Sequence, residues 1–359
     1  MRAGILFWLA LLLIAGGDRP LAAEPSLPQS ASRAAPEAES RWLLMPLVSS
    51  DPKVSTAAGA MAAYLHRFDA DSPTSKLFLG GSYSTTHSYR YGLGGKAYFE
   101  HDRQRLSGVM GWGRIRNHYS DFLGSGLPLQ STDQLQMLAL RYTHAVGHHW
   151  FAGAQLVSTN YLIGADDLLA GKILEKIGLT GFKSTGVGLV AEYDTRDNQN
   201  SATAGRYLLL HQIAYRQRLG GDVSFDAYQL DFRQFMSPAP RMTLALQMKG
   251  RWSFHAPPAG FSSVNLRGYV RGQQIGQHMS HVAIDLRYQL RERWFVAGFA
   301  GVAALYGDNA VHRRQLQWYP NLGVGIAYQL NRDKMVLRSD IALGSGGARG
   351  FYLRFGQPF

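Results

Sequence analysis

The chain has no cysteine, few charged residues and no long hydrophobic run after its N-terminal segment. The lack of cysteine excludes a disulfide framework, a thiolate nucleophile and a cysteine metal site. Charged residues make up 17% of the chain, against about 25% in a typical soluble domain. No later stretch reaches the ~18 apolar residues of a transmembrane helix, so none is expected.

Aromatic residues and glycine are abundant instead, with 18 Tyr, 17 Phe, 7 Trp and 40 Gly. Strands that give half of their residues to lipid and half to a polar lumen produce this composition without any apolar block. The formal charge is +12, and its arginines are spread along the chain instead of clustered. We therefore expect no nucleic-acid partner, and we assign the excess charge to the lumen and to contact with anionic lipid headgroups.

The N-terminus has the pattern of an export signal. Arg2 is followed by an apolar run from Ile5 to Ala15 that is too short to span a bilayer, and Leu21-Ala22-Ala23 supplies small residues for cleavage. We predict a signal peptide at 1–23, a disordered periplasmic tail at 24–40 and a barrel at 41–359.

The C-terminus alternates with period two and ends on an aromatic residue. Apolar side chains occur at Phe351, Leu353, Phe355 and Phe359, as in a strand with one apolar face. A free edge of this kind would aggregate in water, whereas a closed barrel has no free edge. A terminal phenylalanine on such a strand resembles the signal that the barrel assembly machinery of the bacterial outer membrane recognises.

Strand-like segments recur along the whole barrel region and predict an all-β, transmembrane, antiparallel β-barrel of sixteen strands, with twelve or fourteen as alternatives. The long gaps at 117–132, 163–182 and 255–277 all fall on the predicted outer side, as the parity of such a barrel requires. The 163–182 gap has helical spacing and is expected to carry a short helix. The strands are predicted near 41–49, 54–67, 75–86, 89–101, 104–116, 133–146, 148–162, 183–195, 206–217, 222–237, 240–254, 278–291, 293–306, 315–330, 334–344 and 350–359.

A polar run, Asp194-Thr195-Arg196-Asp197, falls at a predicted periplasmic turn. Aspartate side chains bond their own backbone in turns, and Arg196 can pair with either carboxylate. The simplest interpretation is a well-made structural turn.

Three motifs occur in order along the C-terminal half: Tyr193-Asp194-Thr195-Arg196-Asp197-Asn198, Leu266-Arg267-Gly268-Tyr269, and the ending from Leu337 to Phe359. Together they resemble the bacterial surface antigen family, the barrel superfamily of BamA, TamA and the two-partner secretion transporters. The resemblance covers roughly 183–359. It implies insertion or translocation of protein or lipid at the outer membrane.

The resemblance also implies that the sixth outer loop, 255–277, folds back into the lumen and that Arg267 meets an acid on the inner wall. Gly268 would supply an uncommon backbone conformation, and Tyr269 an apolar body with a polar end. Where the family often has the acid, this chain has Gly301. The remaining candidates are Asp285, which we prefer, and Asp340.

Members of that family that insert or secrete proteins carry periplasmic polypeptide-transport-associated domains, and 24–40 is too short for one. A periplasmic or lipoprotein partner could supply the docking domain. The two ends of the predicted barrel carry strand-weakening residues, Pro46 in the first strand and Gly356 and Pro358 near Phe359 in the last. We therefore predict a seam with few hydrogen bonds between 41–49 and 350–359.

Two other functions are compatible with the sequence. An arginine-rich lumen could form a passive, anion-preferring pore. A membrane-embedded hydrolase would need a site among His148, His149, His278, His281 and Ser345, but no nucleophile elbow is present, and His278 and His281 should lie on opposite faces of a strand. We expect no enzyme, no cofactor and no metal.

Overall fold

The computed structural model describes residues 41–51, 55–119, 129–165, 168–176, 178–308, 316–331 and 333–357. The predicted signal peptide 1–23, the predicted tail 24–40, Pro358 and Phe359 lie outside these residues.

The alternating segments form strands throughout the described chain, and most boundaries lie within a few residues of those predicted. In chain order the strands are Trp42–Asp51 (β1), Ser55–His66 (β2), Ser75–Ser84 (β3), Tyr89–Phe99 (β4), Gln104–Tyr119 (β5), Leu129–Gly147 (β6), Trp150–Ala165 (β7), Gly181–Asp194 (β8), Gly205–Tyr215 (β9), Phe225–Ala239 (β10), Met242–Phe254 (β11), Ser262–Ser263 (β12), Ile275–Gly276 (β13), His278–Arg291 (β14), Trp294–Tyr306 (β15), Gln317–Gln329 (β16), Val336–Gly344 (β17) and Arg349–Phe355 (β18).

Sixteen of these strands close into one antiparallel barrel within the described part of the chain. Each strand pairs with its neighbour in sequence, except that β11 pairs with β14 because β12 and β13 form a separate hairpin inside the 255–277 loop. The barrel closes where β18 meets β1. The predicted sixteen-stranded barrel is therefore confirmed. We call the end where β1 begins and β18 ends the periplasmic end, and the opposite end the outer end.

The outward face is apolar and exposed. Leu79 is 61% exposed, Leu189 73% and Val324 62%. Aromatic pairs border this band, Trp294 with Tyr328 at the periplasmic end and Tyr91 with Trp112 at the outer end. An apolar band between two aromatic girdles is the surface of an outer-membrane barrel. No helix in the described residues is both long and apolar enough to cross a membrane.

A helix, Leu168–Lys176 (α1), lies in the outer connection between β7 and β8, as the spacing of that segment predicted. Its Leu174 is buried, as is Leu179 just after it, and both pack with Leu129 and with Ile275 of the 255–277 loop. This contact positions the loop from the outer side.

Candidate functional site

The 255–277 loop folds back against the inner wall of the barrel. Val264 and Leu266 pack with Met279 of β14 and with Ala303 and Leu305 of β15, and all five side chains are buried. An apolar contact with lumen-facing strand residues fixes the loop inside the barrel.

Arg267 of this loop contacts both acids that the sequence left as candidates. Its Nη1 donates to Oδ2 of Asp340 over 2.9 Å, and its Nη2 donates to Oδ2 of Asp285 over 3.2 Å. The guanidinium also lies 3.3 Å from the centroid of the Phe299 ring. A charged side chain that is buried this deeply needs such partners, because leaving it unpaired would be costly.

Arg338 of β17 connects the same two acids. It donates from Nη2 to Oδ2 of Asp285 over 2.7 Å and from Nε to Oδ1 of Asp340 over 2.7 Å. Sequence reasoning overlooked Arg338 as a site residue. The available signal was that Arg338 lies two residues before Asp340, and residues two apart on a strand share a face.

Gly268 and Tyr269 hold the loop beyond Arg267. Gly268 has φ of +98°, which residues with a Cβ resist, and its N–H donates to the Tyr352 hydroxyl over 2.9 Å. The Tyr269 hydroxyl donates to the Pro320 carbonyl over 2.5 Å and lies 2.9 Å from Oγ of Ser345. The tip of the loop is thereby bonded to β16, to β18 and to the turn after β17.

Gly301, which stands where the resembling family often has an acid, leaves room for Asn321. A Cβ on Gly301 would lie 2.9 Å from Oδ1 of Asn321. The Nδ2 of Asn321 donates to the Arg267 carbonyl over 2.8 Å. An amide from the neighbouring strand therefore supports the loop backbone at this level of the lumen.

The Asp194-Thr195-Arg196-Asp197 run leaves β8 at the periplasmic end. Arg196 pairs with Asp194, with Nε to Oδ1 at 2.8 Å and Nη2 to Oδ2 at 2.8 Å. Asp197 instead accepts from the Thr203 hydroxyl and from the N–H groups of Thr203 and Ala204. Burial alone would raise the pKa of Asp197, but these hydrogen bonds outweigh it and hold the pKa below its usual value.

The residues after this run enter the periplasmic end of the lumen. The Tyr98 hydroxyl donates to the Gln199 side chain, and Lys76 donates to Oδ1 of Asn200 over 3.1 Å. Ala202 is buried with Phe235 and Ala245. The connection 195–204 therefore forms a floor beneath the lumen, which the sequence interpretation of a simple turn did not anticipate.

Asp333, in the turn after β16, joins this floor to the turn between β2 and β3. Its Oδ2 accepts from the Thr74 hydroxyl over 3.0 Å, its Oδ1 lies 3.4 Å from Nη2 of Arg67, and its carbonyl accepts from Asn200 over 2.9 Å. The Thr74 turn follows β2 and the Asp333 turn follows β16, so these bonds bridge the junction of β1 and β18 from both sides.

The β1–β18 junction is paired at two positions, Ser49 with Tyr352 and Ser50 with Phe351, within the described residues. On either side, β17 and β18 pair at seven positions and β1 and β2 at ten. Pro46 lies in β1 opposite Ala60 of β2.

Beyond Phe355 the chain leaves the strand. The sequence predicted a strand to residue 359, but Gly356 has φ of +87° and its N–H donates to the Val336 carbonyl over 2.8 Å. Gln357 then accepts from Nη1 of Arg338 over 3.1 Å and lies 3.4 Å from Oγ of Ser201. The residues after β18 thus stay bonded to β17 through Gly356, and the Gln357 side chain contacts lumen residues.

The residues considered for a hydrolase are not brought together. His278 and His281 alternate along β14, and of the two only His281 is buried, with Nε2 3.3 Å from Oε1 of Gln247. Ser345 bonds Tyr269. The His281 contact lies within the barrel wall, and the Ser345 contact binds the 255–277 loop.

No protein-family model matches the chain, and no curated protein matches it. Among solved structures, BamA from Haemophilus ducreyi lacking POTRA domains 1–3 has a TM-score of 0.57 at 13% identity, covering 88% of this chain and 70% of that one. CdiB from Escherichia coli has a TM-score of 0.60 at 13% identity over 90% of this chain. CdiB from Acinetobacter baumannii has a TM-score of 0.58 at 12% identity over 88% of this chain. This chain spans 63% and 60% of those two CdiB chains. The likeness shows that the chain has the barrel fold of BamA and CdiB.

Proposed function

We propose that the chain is a non-enzymatic barrel of the bacterial outer membrane that inserts or translocates protein or lipid through a lateral opening between β1 and β18. The observation that carries this proposal is the sparse pairing of that junction, which among the described residues has two paired positions against seven and ten at the neighbouring ones. The resemblance of the loop and turn motifs to the surface antigen family points to the same activity.

The junction is the least costly place for the barrel to open. A backbone hydrogen bond contributes about 1 kcal/mol net in water and more where water is excluded. Parting any other pair of strands breaks a longer ladder, such as the thirteen positions of β14 and β15. Within the described residues, Leu353 to Phe355 of β18 have no register partner on β1.

The contents of the lumen favour a lateral route over an axial one. The 255–277 loop is held by Arg267 from the outer side, and the floor 195–204 is held by Tyr98 and Lys76 from the periplasmic side. A substrate that passed straight through would have to displace both. A substrate that enters at the seam would displace neither.

Two classes of partner follow. Outer-membrane lipid and lipopolysaccharide would contact the apolar band and its flanking girdles. A periplasmic or lipoprotein partner would dock at the periplasmic end, where the turns joined by Asp333 present a partly exposed polar surface.

A disulfide across the seam tests the proposal in a chain that has no other cysteine. Ser50 and Phe351 are register partners, so S50C with F351C can lock β1 to β18. Ile284 and Ala300 are register partners on β14 and β15, and I284C with A300C is the matched control. Proteoliposomes that contain each variant are then assayed for insertion of a urea-unfolded eight-stranded barrel.

We expect wild type to accelerate insertion. The oxidised seam lock should abolish the acceleration until reductant is added, and the oxidised control lock should leave the acceleration unchanged. Full acceleration by the oxidised seam lock would refute a lateral route. No acceleration by wild type, together with large steady anion currents in planar bilayers, would favour the passive pore.

A further inference from the structure

A cavity of about 530 Å³ lies between the folded loop and the barrel wall. Five cationic side chains line it, and no acidic side chain does so among the described residues. The five are Arg90, Lys249, Arg267, Arg271 and Arg354.

The nearest acids are already paired, in part with Arg267 and Lys249 of these five cations. Asp340 accepts from Arg267 and from Arg338. Asp231 lies against Arg233 at 2.6 Å and against Lys249 at 3.3 Å. The charge of these carboxylates is therefore already balanced within the wall.

Arg354 of β18 is left with an incomplete set of contacts. Its Nε is buried without a hydrogen-bond partner in the described chain, and the closest carboxylate oxygen, Oδ2 of Asp340, lies 3.9 Å away. A buried donor without an acceptor is unfavourable, and more so when the group is charged. The Arg354 side chain lines the cavity and is 31% exposed, so an anion in the cavity can pair with a guanidinium that has only this long carboxylate contact.

Arg90 reaches the cavity from β4, four strands around the barrel from β18. Its Nε lies 3.4 Å from Oγ of Ser82, and no described carboxylate forms an ion pair with it. Cations that converge from β4, β11, β18 and the loop repel one another, and low-dielectric walls strengthen that field.

We propose that this cavity binds a multiply charged oxyanion of the phosphate-ester class. Guanidinium groups match phosphate oxygens with paired donors, and Arg354 has only a 3.9 Å contact to a carboxylate. Apolar side chains that line the same cavity, among them Ile115, Leu135 and Val270, leave room for the carbon portion of an ester. The site does not depend on the seam, so it stands or falls separately from the proposed lateral route.

Inorganic pyrophosphate is the probe, titrated calorimetrically into the folded full-length chain in a zwitterionic detergent. We expect one saturable site, weakened about tenfold by Arg354→Gln and by Arg90→Gln, because each removes one charged contact. Arg218→Gln, on an exposed outer turn, is the matched control and should bind like wild type. Heat-modifiable gel mobility reports whether each variant is folded, and Arg354→Lys, which keeps the charge, should recover part of the affinity.

Absence of saturable binding to wild type would overturn the proposal, as would an equal loss of affinity in Arg218→Gln. Nanodiscs separate two sources of the anion. If a lipid headgroup occupies the cavity, pyrophosphate will bind more weakly in phosphatidylglycerol discs than in phosphatidylcholine discs. If a soluble ester occupies it, the two affinities will agree, and in both cases the cationic cavity is the site.

Discussion

Arg267 and Asp340 lie 2.9 Å apart in the lumen, one on a loop that enters from the outer side and the other on the wall strand β17. The same carboxylate also receives Arg338, its neighbour on β17, at 2.7 Å. One acid therefore connects the folded loop to the strand that pairs with β18, so the loop and the seam share a support.

Arg267→Ala should release the loop. Removing one member of a buried charge network typically costs 3–5 kcal/mol, and we expect about 3 kcal/mol here because Arg338 still neutralises Asp285 and Asp340. Urea unfolding in lipid vesicles measures the change. Surface proteolysis should also begin to cleave after Arg271, whereas an Arg218→Ala control should behave like wild type. An unchanged midpoint together with a protected loop would contradict the anchoring role.

Gly356→Ala should destabilise the turn at the end of β18. Alanine at φ of +87° costs about 1–2 kcal/mol, and open space surrounds the position, so the strain comes from the backbone alone. Gly298→Ala is the matched control, because it also meets nothing within 4 Å and does not have a positive φ. Unfolding midpoints of the two variants are compared. Equal midpoints would show that the turn at Gly356 is not required.

Asp333→Ala should make the seam easier to open, since it removes the carboxylate that bridges the turns on either side. The contacts are partly exposed, so we expect less than about 1 kcal/mol, or up to roughly a fivefold faster insertion of a barrel substrate. Asp71→Ala is the control, because Asp71 pairs with His101 on the same side of the seam. If both variants behave alike, the bridge does not restrain the seam.

Deletion of 262–276 with a short Gly-Ser replacement should raise conductance, because those residues occupy the lumen between the walls. Wild type should give small, flickering currents in planar bilayers, and the deletion variant large, steady ones. Large currents from wild type would mean that the loop does not obstruct the pore.

The strands could be predicted because their signal is local. Period-two alternation is readable within ten residues, and β14 spans the predicted 278–291. The end of β18 differed from the predicted strand to residue 359 because Gly356 has a positive φ, which sequence alternation does not report.

The site was predictable only in part. Alternation and motif order placed Arg267, Asp285 and Asp340 in the lumen, but which acid Arg267 meets depends on how β14 and β17 are separated around the barrel. The floor was not predictable, because its contacts join distant segments. Tyr98 and Gln199 are 101 residues apart, and Thr74 and Asp333 are 259 apart. Such contacts arise only when the barrel closes.

Residue-resolved hydrogen exchange of the β18 amides in the lipid-embedded protein measures directly whether the barrel opens between β1 and β18. In a strand, alternate amides point to opposite neighbours. We expect that amides of 350–355 directed at β17 exchange slowly while those directed at β1 exchange at least about tenfold faster, and that the S50C–F351C lock slows the fast set. Uniformly slow exchange along β18, equal to that of β14 and β15, would rule out an opening at this junction, because the seam would then be as firmly closed as the rest of the wall.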